Sequence, residues 1–304
     1  MGKPSLFFVT QFLDYLGKER RYSTNTVNSY RIDLTQFIEF VNSHEGTGEQ
    51  VFGGVKKSTI KSFLSYLMEK GQSPRSISRK LVTVRSFFKF LVRTGVVDSN
   101  PAIQIKSPKI PKKLPDFLPE EIIKHVLIAA SEKAEIIEDI RDIAIIELLY
   151  STGIRLYELI HLNVHDLDYK EMVVKVRGKG QKDRVIPVGR KALDSVNNYI
   201  SLKRNNVLVK NNDPLFTSRR GNRMSPRIIQ IRLKKMFENV SVGTNITPHL
   251  LRHTFATHLL NNGADIRAVK ELLGHASLSS TQIYTHLKVD QLKKEYKQSH
   301  PHAK

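Results

Sequence analysis

The stretch TPHLLRHTFATHLL, residues 247–260, places His249, Arg252 and His253 in the opening turns of an otherwise apolar helix. Thr247 is a favoured N-cap, and Pro248 suits the first helical position, where a missing N–H costs nothing. His249 and Arg252 then lie three residues apart on one face, at the helix end where free N–H groups and the macrodipole favour an anion. A structural histidine beside a surface arginine would look the same in this fragment. The remainder of the chain decides between the two readings.

The composition narrows the choice. The chain has 304 residues, enough for two domains with cores of their own. Its 40% hydrophobic content is that of an ordinary globular protein. The charge is not ordinary: 49 Lys and Arg stand against 29 Asp and Glu, a net +20. Such an excess suits a polyanionic partner, and nucleic acid leads. An anionic membrane surface is the rival, but no run approaches the ~20 apolar residues that span a bilayer, so no membrane partner is expected. The opening MGKPSLFFVT lacks a signal-peptide layout. The absence of cysteine excludes disulfides and thiol chemistry. The expected location is cytoplasmic.

One boundary is legible. NPAIQIKSPKIPKKLPDFLPEE, residues 100–121, carries prolines at 101, 108, 111, 115 and 119 with lysines between them, a pattern that blocks helix and central strand alike. We place an N-terminal helical domain at 1–106, a linker at 107–116 and a second domain at 117–304. Within the first, SPRSISRKLVTVRSFFKFLVRTG (73–95) spaces Ile77, Leu81, Val84, Phe88 and Leu91 along one helical face. Arg75, Arg79, Lys89 and Arg93 fall on the other side. STNTVNSYRIDLTQFIEFV (23–41) similarly turns Val27, Tyr30, Leu34, Phe37 and Val41 inward. In so basic a chain, a four-helix module with a one-sided basic helix reads as a DNA clamp, with those four residues as its contacts.

The second domain is mixed. IRDIAIIELLYSTGI is an apolar helix ending near Gly153, and MVVKV and RVIPV are β-rich runs joined by the Gly-rich RGKGQKD, a hairpin. The fold class is therefore mainly α with a small antiparallel β-sheet.

Four separated segments offer groups that a phosphodiester reaction needs. YSTGIRLYELI presents Arg155 just past a glycine; VRGKGQKDRV sets Lys179 at a hairpin tip; the helix at 248 offers His249 and Arg252; LLGHASLSSTQIYTH offers His275 and Tyr284. Attack on the phosphate requires a nucleophile, neutralisation of the non-bridging oxygens and a proton for the departing oxygen. Paired arginines bind those oxygens in a bidentate geometry that lysine cannot copy. A hairpin lysine can reach the leaving group, and histidines can donate to the phosphate or help the tyrosine lose its proton. No paired carboxylates are spaced for two Mg²⁺ ions and no Walker-type loop occurs, so neither metal nor cofactor is expected. His258, His300 and His302 read as ordinary surface or packing histidines.

These segments resemble the tyrosine recombinase (phage-integrase) family, and most of all its Xer site-specific recombinases. The likeness rests on TGIRLYEL, GKGQKDRVIPV, HLLRHTFATHLLNNGADIRAVKELLGHASLSSTQIYTH and the closing HPHAK, and it spans nearly the whole chain. It implies an N-terminal core-binding domain and an α/β catalytic domain. Arg155 and Arg252 would be the phosphate-clamping arginines, Lys179 the hairpin lysine, His249 and His275 the two histidines, and Tyr284 the nucleophile. Glu158 would match an acidic position that orients the arginine. Tyr157 and Ser280 depart from the commoner family residues.

The resemblance further implies double-stranded DNA target sites, a tetramer on two of them, a 3′-phosphotyrosyl intermediate and a Holliday junction. Chromosome dimer resolution is the expected role, although a mobile-element integrase would look much alike. It leaves open a second recombinase and an activating DNA translocase as partners. A C-terminal segment exchanged with a neighbouring protomer is also expected. The rivals are a type IB topoisomerase, which uses the same chemistry on one duplex, and a DNA-binding regulator without catalysis.

Overall fold

A computed structural model describes residues 5–45, 52–109, 117–178, 183–206, 210–238, 246–274 and 286–303. The chain divides into two compact units, Met1–Lys112 and Lys113–Lys304.

The first unit packs four α-helices, α1 (Ser5–Asp14), α2 (Thr24–Glu45), α3 (Lys57–Glu69) and α4 (Pro74–Arg93), with a π-helical turn at Tyr15–Glu19. α4 begins where Ser73 Oγ accepts the Ser76 amide and Pro74 occupies the first turn. It stops where Gly95 takes a positive φ of 70° and the Val96 amide bonds back to Leu91. Ile77, Leu81, Val84, Phe88 and Leu91 are all buried, as their spacing requires. Leu34, Phe37 and Val41 of α2 meet them in the core, while Val27 and Tyr30 pack at its margin. Phe12, Phe37, Phe63, Phe87 and Phe88 fill the centre with edge-on ring contacts.

The second unit is built round α6 (Ile137–Thr152), which packs on α5 (Glu120–Glu132), α8 (Arg190–Asn206), α9 (Pro226–Phe237) and α10 (Pro248–Asn261). Because neighbours cover it on most sides, α6 is apolar almost all round over its second half, from Ala144 to Tyr150. α7 (Leu156–His161) follows it directly, and α11 (Ile266–Leu273) and α12 (His286–Ser299) complete the helices.

The expected hairpin is present as β2 (Val173–Arg177) and β3 (Asp183–Pro187), in antiparallel register with Val174 opposite Ile186. A third strand, β1 (Leu167–Asp168), pairs with β2. At two residues it is too short to leave an alternating pattern in sequence.

The C-terminal segment, expected to be handed to a neighbouring protomer, docks on its own unit in this single chain. Leu292 and Tyr296 are buried in the main core, and Lys293 pairs with Glu171 at 2.9 Å. Burial of two such side chains stabilises this docking by roughly 1.5–3 kcal/mol each. His258, His300 and His302 are all buried, so they are packing histidines and none is on the surface.

Candidate active site

Arg155 is placed by the end of α6. Gly153 closes that helix in the left-handed conformation, at φ 59°, and its amide bonds to the Leu149 carbonyl. A Cβ there would lie 2.3 Å from the Phe255 ring, so glycine is required both by φ and by space. Phe255 stands three residues beyond Arg252 on α10, and the close approach brings the two arginine-bearing segments together. Arg252 donates to the Gly153 carbonyl at 2.6 Å.

The N-terminus of α10 is built as its sequence requires. Thr247 Oγ1 accepts the Leu250 amide at 3.1 Å, and Pro248 opens the helix. His249 is exposed on the first turn and Arg252 is half-buried.

Both arginines also reach the end of α11. Arg252 donates to the Leu273 carbonyl, and Arg155 donates to the next one, Gly274 O, at 3.3 Å. Two guanidinium groups thus converge on adjacent peptides immediately before His275. Burial, then the neighbouring Arg155 charge, lowers the pKa of Arg252 to about 10. Two guanidinium groups share the single Glu158 carboxylate nearby, and the remaining positive charge favours an anion at this place.

Glu158 supplies the only carboxylate bonded to this cluster among the described residues. It accepts the Arg155 amide at 2.8 Å and the Arg155 side chain at 3.1 Å, as an acid placed to orient that arginine would. Sequence reasoning missed its other partner. Arg184 of β3 clasps Glu158 through both terminal nitrogens, at 2.7 and 2.9 Å, and is only 5% exposed. Alternation in β3 could not have found it, because Val185 and Pro187 on the opposite face are as apolar as Ile186 on the face of Arg184. Burial works against ionising Glu158, but the Arg184 bonds and charge, aided by the Arg155 amide, hold its carboxyl below the ordinary range.

Lys179, His275 and Tyr284 lie outside the described residues. In the first unit, Arg75 and Lys89 are exposed, with no ion pair among the described residues. Arg79 is half exposed and ion-paired with the buried Asp33, which Lys80 at 3.2 Å and Thr83 at 3.0 Å also contact. Arg93 lies over the Tyr15 ring, 4.0 Å from its centroid, and donates to the Tyr15 hydroxyl at 3.0 Å.

A helical unit is followed by a mainly helical unit with a small sheet and two converging arginines, an arrangement that suits an anionic partner. Comparison with known proteins agrees. Residues 117–291 match the phage integrase family, and residues 9–95 match the phage integrase N-terminal SAM-like domain. Tyrosine recombinase XerC of Thermodesulfovibrio yellowstonii is 41% identical, over 98% of this chain and 97% of its own. Tyrosine recombinase XerD of Oceanobacillus iheyensis is 39% identical, over 98% of this chain and 99% of its own. A lambda integrase dimer bound to a COC′ core site shares the fold at a TM-score of 0.71 and 16% identity, over 92% of this chain and 100% of that one. The chain belongs to the phage integrase family of tyrosine recombinases, which cleave and rejoin DNA through a tyrosine nucleophile.

No helix among the described residues is long and apolar enough to cross a membrane.

Proposed function

We propose that this recombinase works at a specific DNA site, with chromosome dimer resolution as its role. The convergence of Arg155 and Arg252 on the Leu273–Gly274 peptides carries the reading, because it prepares a site for one phosphate. Tyr284 attacks the scissile phosphorus, forming the P–O bond of a 3′-phosphotyrosyl ester as the bond to the 5′ oxygen breaks. Lys179 gives that oxygen its proton. Arg155 and Arg252 neutralise the non-bridging oxygens, and His249 and His275 hydrogen-bond the phosphate or take the tyrosine proton. Glu158 holds Arg155 in orientation.

The ester conserves the energy of the broken bond, so rejoining needs no nucleotide hydrolysis. The free 5′ hydroxyl of a partner duplex reverses the step, and exchange of one strand pair yields a Holliday junction. Four protomers on two duplexes complete the assembly, in the cytoplasm, with Arg75, Arg79, Lys89 and Arg93 on the clamp side. Near-equal identity to an XerC and an XerD makes a second recombinase, and a translocase that activates the pair, natural partners to test.

A nicked suicide duplex carrying the chain's own genomic binding site tests the reading. The wild type should form a covalent adduct on a denaturing gel and Tyr284→Phe none, with DNA binding unchanged. An adduct persisting in Tyr284→Phe would refute the nucleophile. Relaxation of supercoils without exchange between paired sites would favour a topoisomerase.

A further inference from the structure

Arg184 occupies the point where three pieces of the site meet. It springs from β3, grips Glu158 at the start of α7 and donates through Nε to the Leu272 carbonyl at 3.3 Å, at the end of α11. Gly274, two residues on, is shaped round it: a Cβ at that position would come within 3.0 Å of the Arg184 guanidinium, and its φ is 64°. The same Gly274 carbonyl receives Arg155. Glu158 therefore has one buried partner and one half-exposed partner, Arg184 and Arg155, on the same Oε1 atom.

A lone carboxylate shared this way has an orientation set by its better partner. Arg184 makes two short bonds in fork geometry, whereas the Arg155 side chain makes one longer bond. We propose that Arg184 is a positioning residue for phosphate neutralisation: it locks Glu158 and the Leu272–Gly274 turn, which together aim the Arg155 guanidinium. This rests on the reading of Arg155 as a phosphate clamp. Arg184 itself is buried and leaves the phosphate to the more exposed arginine. Lysine cannot replace it, because a single ammonium cannot span both carboxylate oxygens and the Leu272 carbonyl with a planar fork.

The test compares Arg184→Lys with wild type on duplexes carrying an ordinary scissile phosphate, a methylphosphonate or a 5′-bridging phosphorothioate. The methylphosphonate is uncharged, so it has less need of the arginines. Arg184→Lys should bind DNA normally, cleave the ordinary phosphate at least about tenfold more slowly, and come within a few-fold of wild type on the methylphosphonate. The phosphorothioate, which relieves the leaving group only, should bring no recovery.

Equal slowing on all three substrates, or a wild-type rate on the phosphate, would overturn the proposal. Should Arg184→Lys fail to fold, Arg184→Gln, which leaves Glu158 in place and offers it a single planar amide donor, gives the same comparison. Arg155→Ala is run alongside. If the methylphosphonate does not recover it, the clamp reading fails and the proposal falls with it; recovery of Arg155→Ala without recovery of Arg184→Lys refutes the proposal alone.

Discussion

Tyr296 and Ser151 share a hydrogen bond of 2.7 Å, joining the last helix of the chain to the last turn of α6, one turn ahead of Arg155. The same Ser151 oxygen accepts the Gly189 amide at 2.8 Å. Just beyond, the His302 backbone lies against Gly189 so closely that a Cβ there would sit 2.1 Å from the His302 carbonyl oxygen. The C-terminal segment therefore braces the element that presents the arginine.

Deleting residues 288–304 removes that brace together with any hand-over of the segment to a neighbour. Single-site DNA binding should persist, thermal stability should fall, and recombination between paired sites should be lost. Native gels and a two-site recombination assay read these outcomes. A truncated chain that recombines at the full rate would show that neither role matters.

His300 gives the second unit a pH dependence of known sign. Burial, reinforced by the neighbouring His302, lowers its pKa to about 3, and its Nε2–H donates to the Tyr150 carbonyl at 3.1 Å. A histidine neutral in the fold contributes stability that is complete above its unfolded pKa of about 6.5 and is lost as pH falls toward 3. The Tm advantage of wild type over His300→Gln should therefore shrink between pH 7 and pH 4. A constant gap across that range would exclude titration of His300 as the cause.

Lys179→Ala should lose cleavage of ordinary DNA, since the departing 5′ oxygen would leave without its proton. A 5′-bridging phosphorothioate leaves without that help and should recover most of the rate. Failure to recover on this substrate would remove Lys179 from the role of general acid.

Arg79 and Lys89 should separate in their effects, because only Arg79 serves a buried carboxylate. Lys89→Ala should flatten the dependence of log K on log salt by roughly 1, with Tm unchanged. Arg79→Ala should do the same and also lower Tm, since Asp33 is fully buried and would keep only Lys80 and Thr83. A salt slope untouched by either change would return this face to simple solvation.

Local chemistry in the sequence determined much of this protein. Spacing alone placed the buried face of α4, the glycine stop of α6 and the Thr247–Pro248 start of α10, because capping and helical periodicity act over a few residues. Composition pointed to a polyanion for a similarly simple reason: charge adds up without regard to fold. What needed the tertiary structure were contacts between residues distant along the chain. Glu158 could be read as a partner of Arg155, three residues away, but its stronger partner Arg184 is brought from a strand 26 residues on. Arg79 looked like an unpaired surface charge until α2 set Asp33 beneath it. The closing helix read as a short apolar stripe on a basic helix, and only packing shows that Leu292 and Tyr296 close over the core of the second unit. Each of these was decided by which surfaces three-dimensional packing removes from water, a quantity that no short window of sequence contains.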